Sequence, residues 1–321
     1  MSSLADRIGA DAQVHRTSRA MVYQVSGSVQ DLDFLGWILR TGLAAPDESQ
    51  FDSARRTAQI DLDQRRETPE GALAIRLLGQ LSPGAAPLQG TRSTLERLDP
   101  GRVTALWARS HLRSEVRIVV AGRVDPILVL STLSDLGLPM DGPTAQLPPS
   151  EAVEQSTGAP EVIRHWIALG HRLDSHGTHA EHLITARLLG EVLRESPGNY
   201  EAAVELWEVG RNRALVLSGA AFPGNRQPLF DRLNALPQQA IDEVTESRVD
   251  RISSQIRTEL RNSAREPRGL AELVGQAWDM EGSPEAVGAL LASLREVDPE
   301  GIQQLLDALQ QAGPLTEEIR P

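Results

Sequence analysis

The chain repeats itself, and that repeat restricts its fold more than any other feature of the sequence. The run RAMVYQVSGSVQDLDFLGWIL from Arg19 parallels RALVLSGAAFPGNRQPLFDRL from Arg213. Each has the pattern of a half-buried strand, a short polar break and an amphipathic helix. DESQFDSARRTAQIDLDQRRETPEGALA from Asp47 is matched by TESRVDRISSQIRTELRNSAREPRGLA from Thr245. Both begin acid-rich, continue as long helices and break at Pro69 and Pro267. LERLDPGRVTALW from Leu95 matches LREVDPEGIQQLL from Leu294, with Asp99 and Asp298 as N-caps before a proline at the first helical position. The paired segments start 194, 198 and 199 residues apart and keep their order. Nearly constant spacing over three segments predicts two successive copies of one α/β unit.

The copies are cut differently. The first unit, 1–140, ends with a strand in VRIVVAG (116–122) and a helix in DPILVLSTLSDLGL. The second, 161–321, opens with a strand in VIRHWIALGHRL (162–173) and a helix in THAEHLITARLLGEVLRE (178–195). A hairpin follows, with arms YEAAVELWEV and RALVLSGAAF turning at Gly210, Arg211 and Asn212. Little room for that opening exists before Arg19, so the first unit is expected to be truncated at its N-terminal side. The second is expected to stop after Leu309 without a partner for VRIVVAG. A Pro-, Gly- and Ser-rich stretch, 141–160, links them. The fold class is α+β: two homologous units, each an antiparallel or mixed sheet with helices on one face.

Composition narrows the chemistry. The 321 residues include no cysteine, which excludes disulfides, thiolate nucleophiles and cysteine-held metals. All 32 basic residues are arginine, so no lysine can form a Schiff base or serve a phosphate loop. With aromatic residues at only 3%, the core must be aliphatic. A net charge of −12 disfavours a nucleic-acid partner, whose phosphates select basic faces. The first twenty residues lack a signal-peptide pattern, and no apolar stretch approaches a membrane span. A soluble cytoplasmic protein is the expectation. VAGRVDP has too few glycines for a dinucleotide fingerprint, and no nucleophilic serine motif appears.

The stretch 82–126, SPGAAPLQGTRSTLERLDPGRVTALWARSHLRSEVRIVVAGRVDP, resembles the insulinase-type (pitrilysin) zinc peptidases, the inverzincins. The likeness lies in a loop with Pro and Gly, a capped helix, and a strand ending in Gly before Asp-Pro. It implies paired homologous α/β domains around a cleft. In that family zinc is held by an inverted His-x-x-Glu-His helix early in the first domain, with a distant Glu as third ligand. Here the first copy has only His15 and His111, and Asp61 and Asp63, where the distant ligand would fall, have the pattern of a solvated helix face. The chain therefore has no catalytic residues of its own and no cofactor, and zinc is expected in a partner subunit. HGTHAEHL, at the helix equivalent to the zinc helix, has Thr178 where the first histidine belongs. His176, His179, Glu181 and His182 remain a minor candidate for a shared metal. His165 and His171 lie on the preceding strand.

The same resemblance implies an Arg–Tyr pair, lent by the second domain to the partner's cleft as donors to the scissile carbonyl and oxyanion. Arg194 and Tyr200 stand at that place, one residue closer together than the family's usual spacing. An alternative register places Trp207 with Arg211 or Arg213 there instead, and the bland reading makes Arg194 a helix-end charge and Tyr200 a packing residue. The expected function is that of a non-catalytic subunit of a heterodimeric peptidase. It would help bind unfolded peptide, as in removal of leader peptides, while the zinc-bearing subunit cuts. The alternative is a structural or peptide-binding protein comparable to the peptidase-like core subunits of a respiratory complex. No membrane partner is expected.

Overall fold

A computed structural model describes residues 5, 9–17, 19–82, 90–134, 136–140, 161–173, 176–195, 201–210 and 212–321. In chain order these give β1 (Asp11–Arg16), β2 (Met21–Ser26), α1 (Leu32–Leu43), α2 (Phe51–Glu67), α3 (Pro69–Leu81), α4 (Arg92–Glu96), α5 (Pro100–Ser110) and α6 (Pro126–Leu133). There follow β3 (His165–Arg172), α7 (His179–Glu195), β4 (Glu201–Val209), β5 (Asn212–Ala221), α8 (Arg226–Asp242), α9 (Glu246–Ser263), α10 (Pro267–Glu281), α11 (Ala286–Glu296), α12 (Pro299–Ala312) and β6 (Leu315–Ile319). The 141–160 linker lies outside the described residues.

Local chemistry sets the boundaries. Asp99 and Asp298 cap α5 and α12 by accepting from Arg102 N and Gly301 N, each with proline at the first helical position. Pro69 ends α2 and starts α3, with Thr68 as the cap. In the β4–β5 hairpin Val209 pairs with Asn212, and Gly210 takes the positive φ (64°) that a two-residue loop demands. Arg211, the other loop residue, lies outside the described set.

Two compact units form, and each draws on both halves of the sequence. The larger comprises 60–91, 150–262 and 285–321. Its antiparallel sheet runs in the order β4-β5-β3-β6. By strand alternation Ile167, Leu169 and Leu173 enter one core with α7, α8, α9 and α12, built from residues such as Ile184, Leu188, Leu233, Ile252 and Leu305. Ala168 and Gly170 point the other way, onto α3, whose Leu73, Leu77 and Leu81 pack with Val216 and Ile319. Helices thus cover both faces of this sheet, rather than the single face expected. The sequence pattern hides this, because α3 lies in the first half of the chain.

The smaller unit comprises 1–59, 92–149 and 263–284. Its sheet, among the described residues, is the two-stranded β1–β2 pair. α10 is tied to that pair by Arg268–Asp11 (2.6 Å), Gln24–Glu272 (2.8 Å) and Arg19–Asp279 (3.9 Å). The core is small: Ala5, Ala10, Ala12 and Ile38, flanked by Val25, Phe34 and Leu35.

Two strand expectations are corrected. VRIVVAG joins no ladder among the described residues, since β1 pairs only with β2 and β2 only with β1. The chain also does not stop after Leu309. α12 continues to Ala312, and β6 follows, paired with β3 from Trp166↔Ile319 to Gly170↔Leu315. The polar LTEEI is held as a strand by that ladder and by ion pairs at Glu318, which periodicity alone does not reveal.

Candidate functional site

The residues most suggestive of metal chemistry sit at the head of α7, and local geometry accounts for them. Thr178 and Glu181 form a capping box: Thr178 N donates to the Glu181 carboxylate (2.5 Å), and Glu181 N donates to the Thr178 hydroxyl (3.3 Å). Gly177, at φ 73°, brings the loop so close that a Cβ there would lie 3.2 Å from Glu181 Oε2 and 3.4 Å from His182 Nε2. His182 is buried, and its Nε2 donates to the carbonyl of His176 at 2.6 Å. Burial lowers its pKa, only partly opposed by that carbonyl, and the charge of Arg213 lowers it further. With Glu181 and His182 engaged in this way, the shared metal site of His176, His179, Glu181 and His182 does not form. Among the described residues no group of three or more His, Cys, Asp or Glu is arranged to hold a metal ion. These residues do not fit zinc.

The rest of α7 serves packing. Ala180, Ile184, Leu188, Leu189 and Val192 enter the larger unit's core. On its outer side Glu191 meets Arg251 (2.6 Å) and Arg248 (3.3 Å), and hydrogen bonding from Arg251 lowers its pKa. Arg248 also reaches Glu195 (2.9 Å) and Glu243 (2.7 Å). Arg194 is exposed on the last turn, where its Nε donates to the Gly190 carbonyl at 2.9 Å. Tyr200 lies outside the described residues, as does Arg211. Trp207 lies in β4 opposite Ala214, and its indole donates to Glu205 (2.8 Å).

The remaining histidines also have structural surroundings. His171 faces the helical core from β3, is 4% exposed, and neither ring nitrogen has a hydrogen-bond partner. Burial takes its pKa down to about 4, opposed in part by the Leu309 carbonyl. His165 Nδ1 meets Glu318 at 3.1 Å, and Arg226 and Arg320 bind the same carboxylate. Hydrogen bonding from Arg226 lowers the Glu318 pKa to about 2. In the smaller unit His111 Nε2 shares a 2.9 Å hydrogen bond with Tyr23 OH, and its ring stacks on Trp107. The sequence gives no sign of this Tyr23–His111 pair, since the partners lie 88 residues apart. His15 lies on β1, and Asp61 is exposed on α2.

No family model matches the chain, and no curated protein matches it in sequence. Solved structures match its fold. A protease from Helicobacter pylori superposes with a TM-score of 0.83 at 12% identity over 99% of this chain and 84% of that one. The periplasmic protease PqqL from Escherichia coli gives 0.74 at 12% identity over 99% of this chain, which spans only 38% of PqqL. The peptidase M16 inactive domain from Pseudomonas fluorescens gives 0.70 at 13% identity, covering 98% and 82% of the two chains. The α+β fold is that of the M16 (insulinase/pitrilysin) peptidases, inactive domains included. Among the described residues no helix is long and apolar enough to cross a membrane.

Proposed function

We propose that this chain is a non-catalytic M16 subunit, two copies of one α/β unit, that closes a peptidase chamber around peptide while a separate zinc-bearing chain cuts. The observation that carries this reading is the state of α7. In the repeat reading it is the second copy's counterpart of the zinc helix, and its Glu181 completes a capping box while His182 is buried against a backbone carbonyl. A helix committed in this way supports its unit and leaves metal chemistry to another polypeptide. The fold likeness to an inactive M16 domain agrees with that role. Unfolded peptide, leader peptides among them, would bind by adding a strand to a sheet edge.

Arg194 is the residue through which this chain would reach the partner's reaction, and Tyr200, six residues on in sequence, is the second. Arg194 is exposed and, among the described residues, its guanidinium bonds to the Gly190 carbonyl of its own helix, so it can turn to a substrate carbonyl without breaking the core. The test is alanine substitution at Arg194 and at Tyr200 in the chain mixed with a zinc-bearing M16 chain. Turnover of an unfolded peptide is expected to fall about a hundredfold with assembly unchanged. Unchanged turnover would remove both residues from the reaction.

A further inference from the structure

Within the larger unit arginines reach for carboxylates: Arg248 meets Glu191, Glu195 and Glu243, and Arg226 forks onto Glu318. Three arginines of the same unit do not. Arg257, Arg261 and Arg295 make no hydrogen bond or ion pair among the described residues. They also stand together. Arg257 and Arg261 are one turn apart on α9, a spacing at which like charges repel. One turn before Arg257, Ser253 donates to the Leu294 carbonyl, and Ile252, Ile256 and Leu294 share one core. The end of α11 therefore lies against this stretch of α9 and brings Arg295 to it. Arg257 is half-buried, and its Nε is closed off from water without a partner. Desolvation lowers its pKa, and the charges of Arg295 and Arg261 lower it further. Glu259, between Arg257 and Arg261 in sequence, is taken by Arg187. Helix dipoles account for Arg261 and Arg295, each in the last turn of its helix, but not for Arg257, which lies outside that turn.

We propose that Arg257, Arg261 and Arg295 form a binding site for a small phosphoryl anion, either free phosphate or the phosphate of a small ester. Guanidinium groups fork onto oxyanions through paired N–H donors, and such charge-assisted bonds are the strong ones. A carboxylate would set one negative charge against three positive ones and leave the repulsion mostly in place. A phosphoryl group brings about 1.5–2 negative charges and three acceptor oxygens, one for each guanidinium. The net charge of −12 repels an extended polyanion, so the ligand that suits an isolated basic cluster is a small one. The site lies wholly in the larger unit, and it needs neither zinc nor a partner subunit.

The test is calorimetric titration of the full chain with inorganic phosphate and, separately, with glycerol 3-phosphate, acetate and chloride at matched ionic strength serving as controls. Saturable binding at one anion per chain is expected, and the tighter of the two phosphates identifies the source. Arg257→Gln, and Arg261→Gln combined with Arg295→Gln, should each weaken it roughly tenfold or more. Saturating phosphate should raise the melting temperature by about 2–4 °C over matched chloride. Without phosphate the variants should melt no lower than the parent, because each removes a repulsion. Absent binding, or binding indifferent to the substitutions, overturns the site. Acetate bound as tightly as phosphate overturns the phosphoryl class, and an equal rise in chloride reduces the effect to screening. Variants melting well below the parent would show the guanidiniums to be held within the chain, and overturn it as well. Because no peptidase chain is present, failure here is distinct from failure of the peptidase role.

Discussion

His171 carries a desolvation cost in the middle of an aliphatic core. Neither ring nitrogen makes a well-formed hydrogen bond, and burial, opposed only in part by the nearby Leu309 carbonyl, takes its pKa from 6.5 to about 4. Between those values the unfolded chain takes up a proton that the folded chain refuses. Stability is therefore full above pH 6.5 and declines as pH falls toward 4, by ~3 kcal/mol from this one group. His182, also lowered by burial, acts in the same direction. Urea unfolding at pH 7 and pH 4.5 should show the His171→Leu chain losing much less stability on acidification than the parent. It should also be more stable at pH 7, because a buried and poorly satisfied polar ring is removed. Equal acid sensitivity in the two proteins would contradict this assignment. At this scale the sequence is legible where chemistry is local. Asp99 and Asp298 cap as expected because a cap needs only its next few residues. The burial of His171 and the diversion of Glu181 from metal chemistry depend on neighbours and geometry that spacing does not encode.

At the scale of elements, α3 depends on a single missing side chain. A Cβ on Gly170 would lie 2.9 Å from Leu77 Cδ1, so the glycine in β3 is what lets α3 settle on the sheet. Gly170→Val should cost about 1–3 kcal/mol in denaturant unfolding. Gly275→Val in α10, where nothing lies near the added Cβ, is the control and should cost less than half as much. Equal costs would place the energetic contact elsewhere. The helices and the hairpin of the second half were legible because their periodicity is strong and their ends carry Asp, Pro and Gly signals. Strands were less so, since a strand exists only with a neighbour. VRIVVAG has the apolar pattern of a strand and joins no ladder among the described residues, whereas LTEEI has a poor alternation and pairs with β3.

At the scale of the whole molecule, the sequence shows matched segments at nearly constant spacing but not which segments pack together. 60–91 belongs to the unit built mainly from the second half, and 263–284 to the unit built mainly from the first. Such grouping depends on which faces meet in space, and both helical segments look alike in sequence. The functional account then follows from the state of α7 and from the fold shared with inactive M16 domains. Its central claim is that catalysis belongs to a partner. The most direct measurement is zinc content and hydrolysis of an unfolded peptide, for this chain alone and after titration with a zinc-bearing M16 chain. The account predicts no bound zinc and no hydrolysis alone. On titration, turnover should rise above that of the zinc-bearing chain by itself and saturate at one copy of each. Stoichiometric zinc with hydrolysis by this chain alone, or turnover indifferent to its presence, would contradict it.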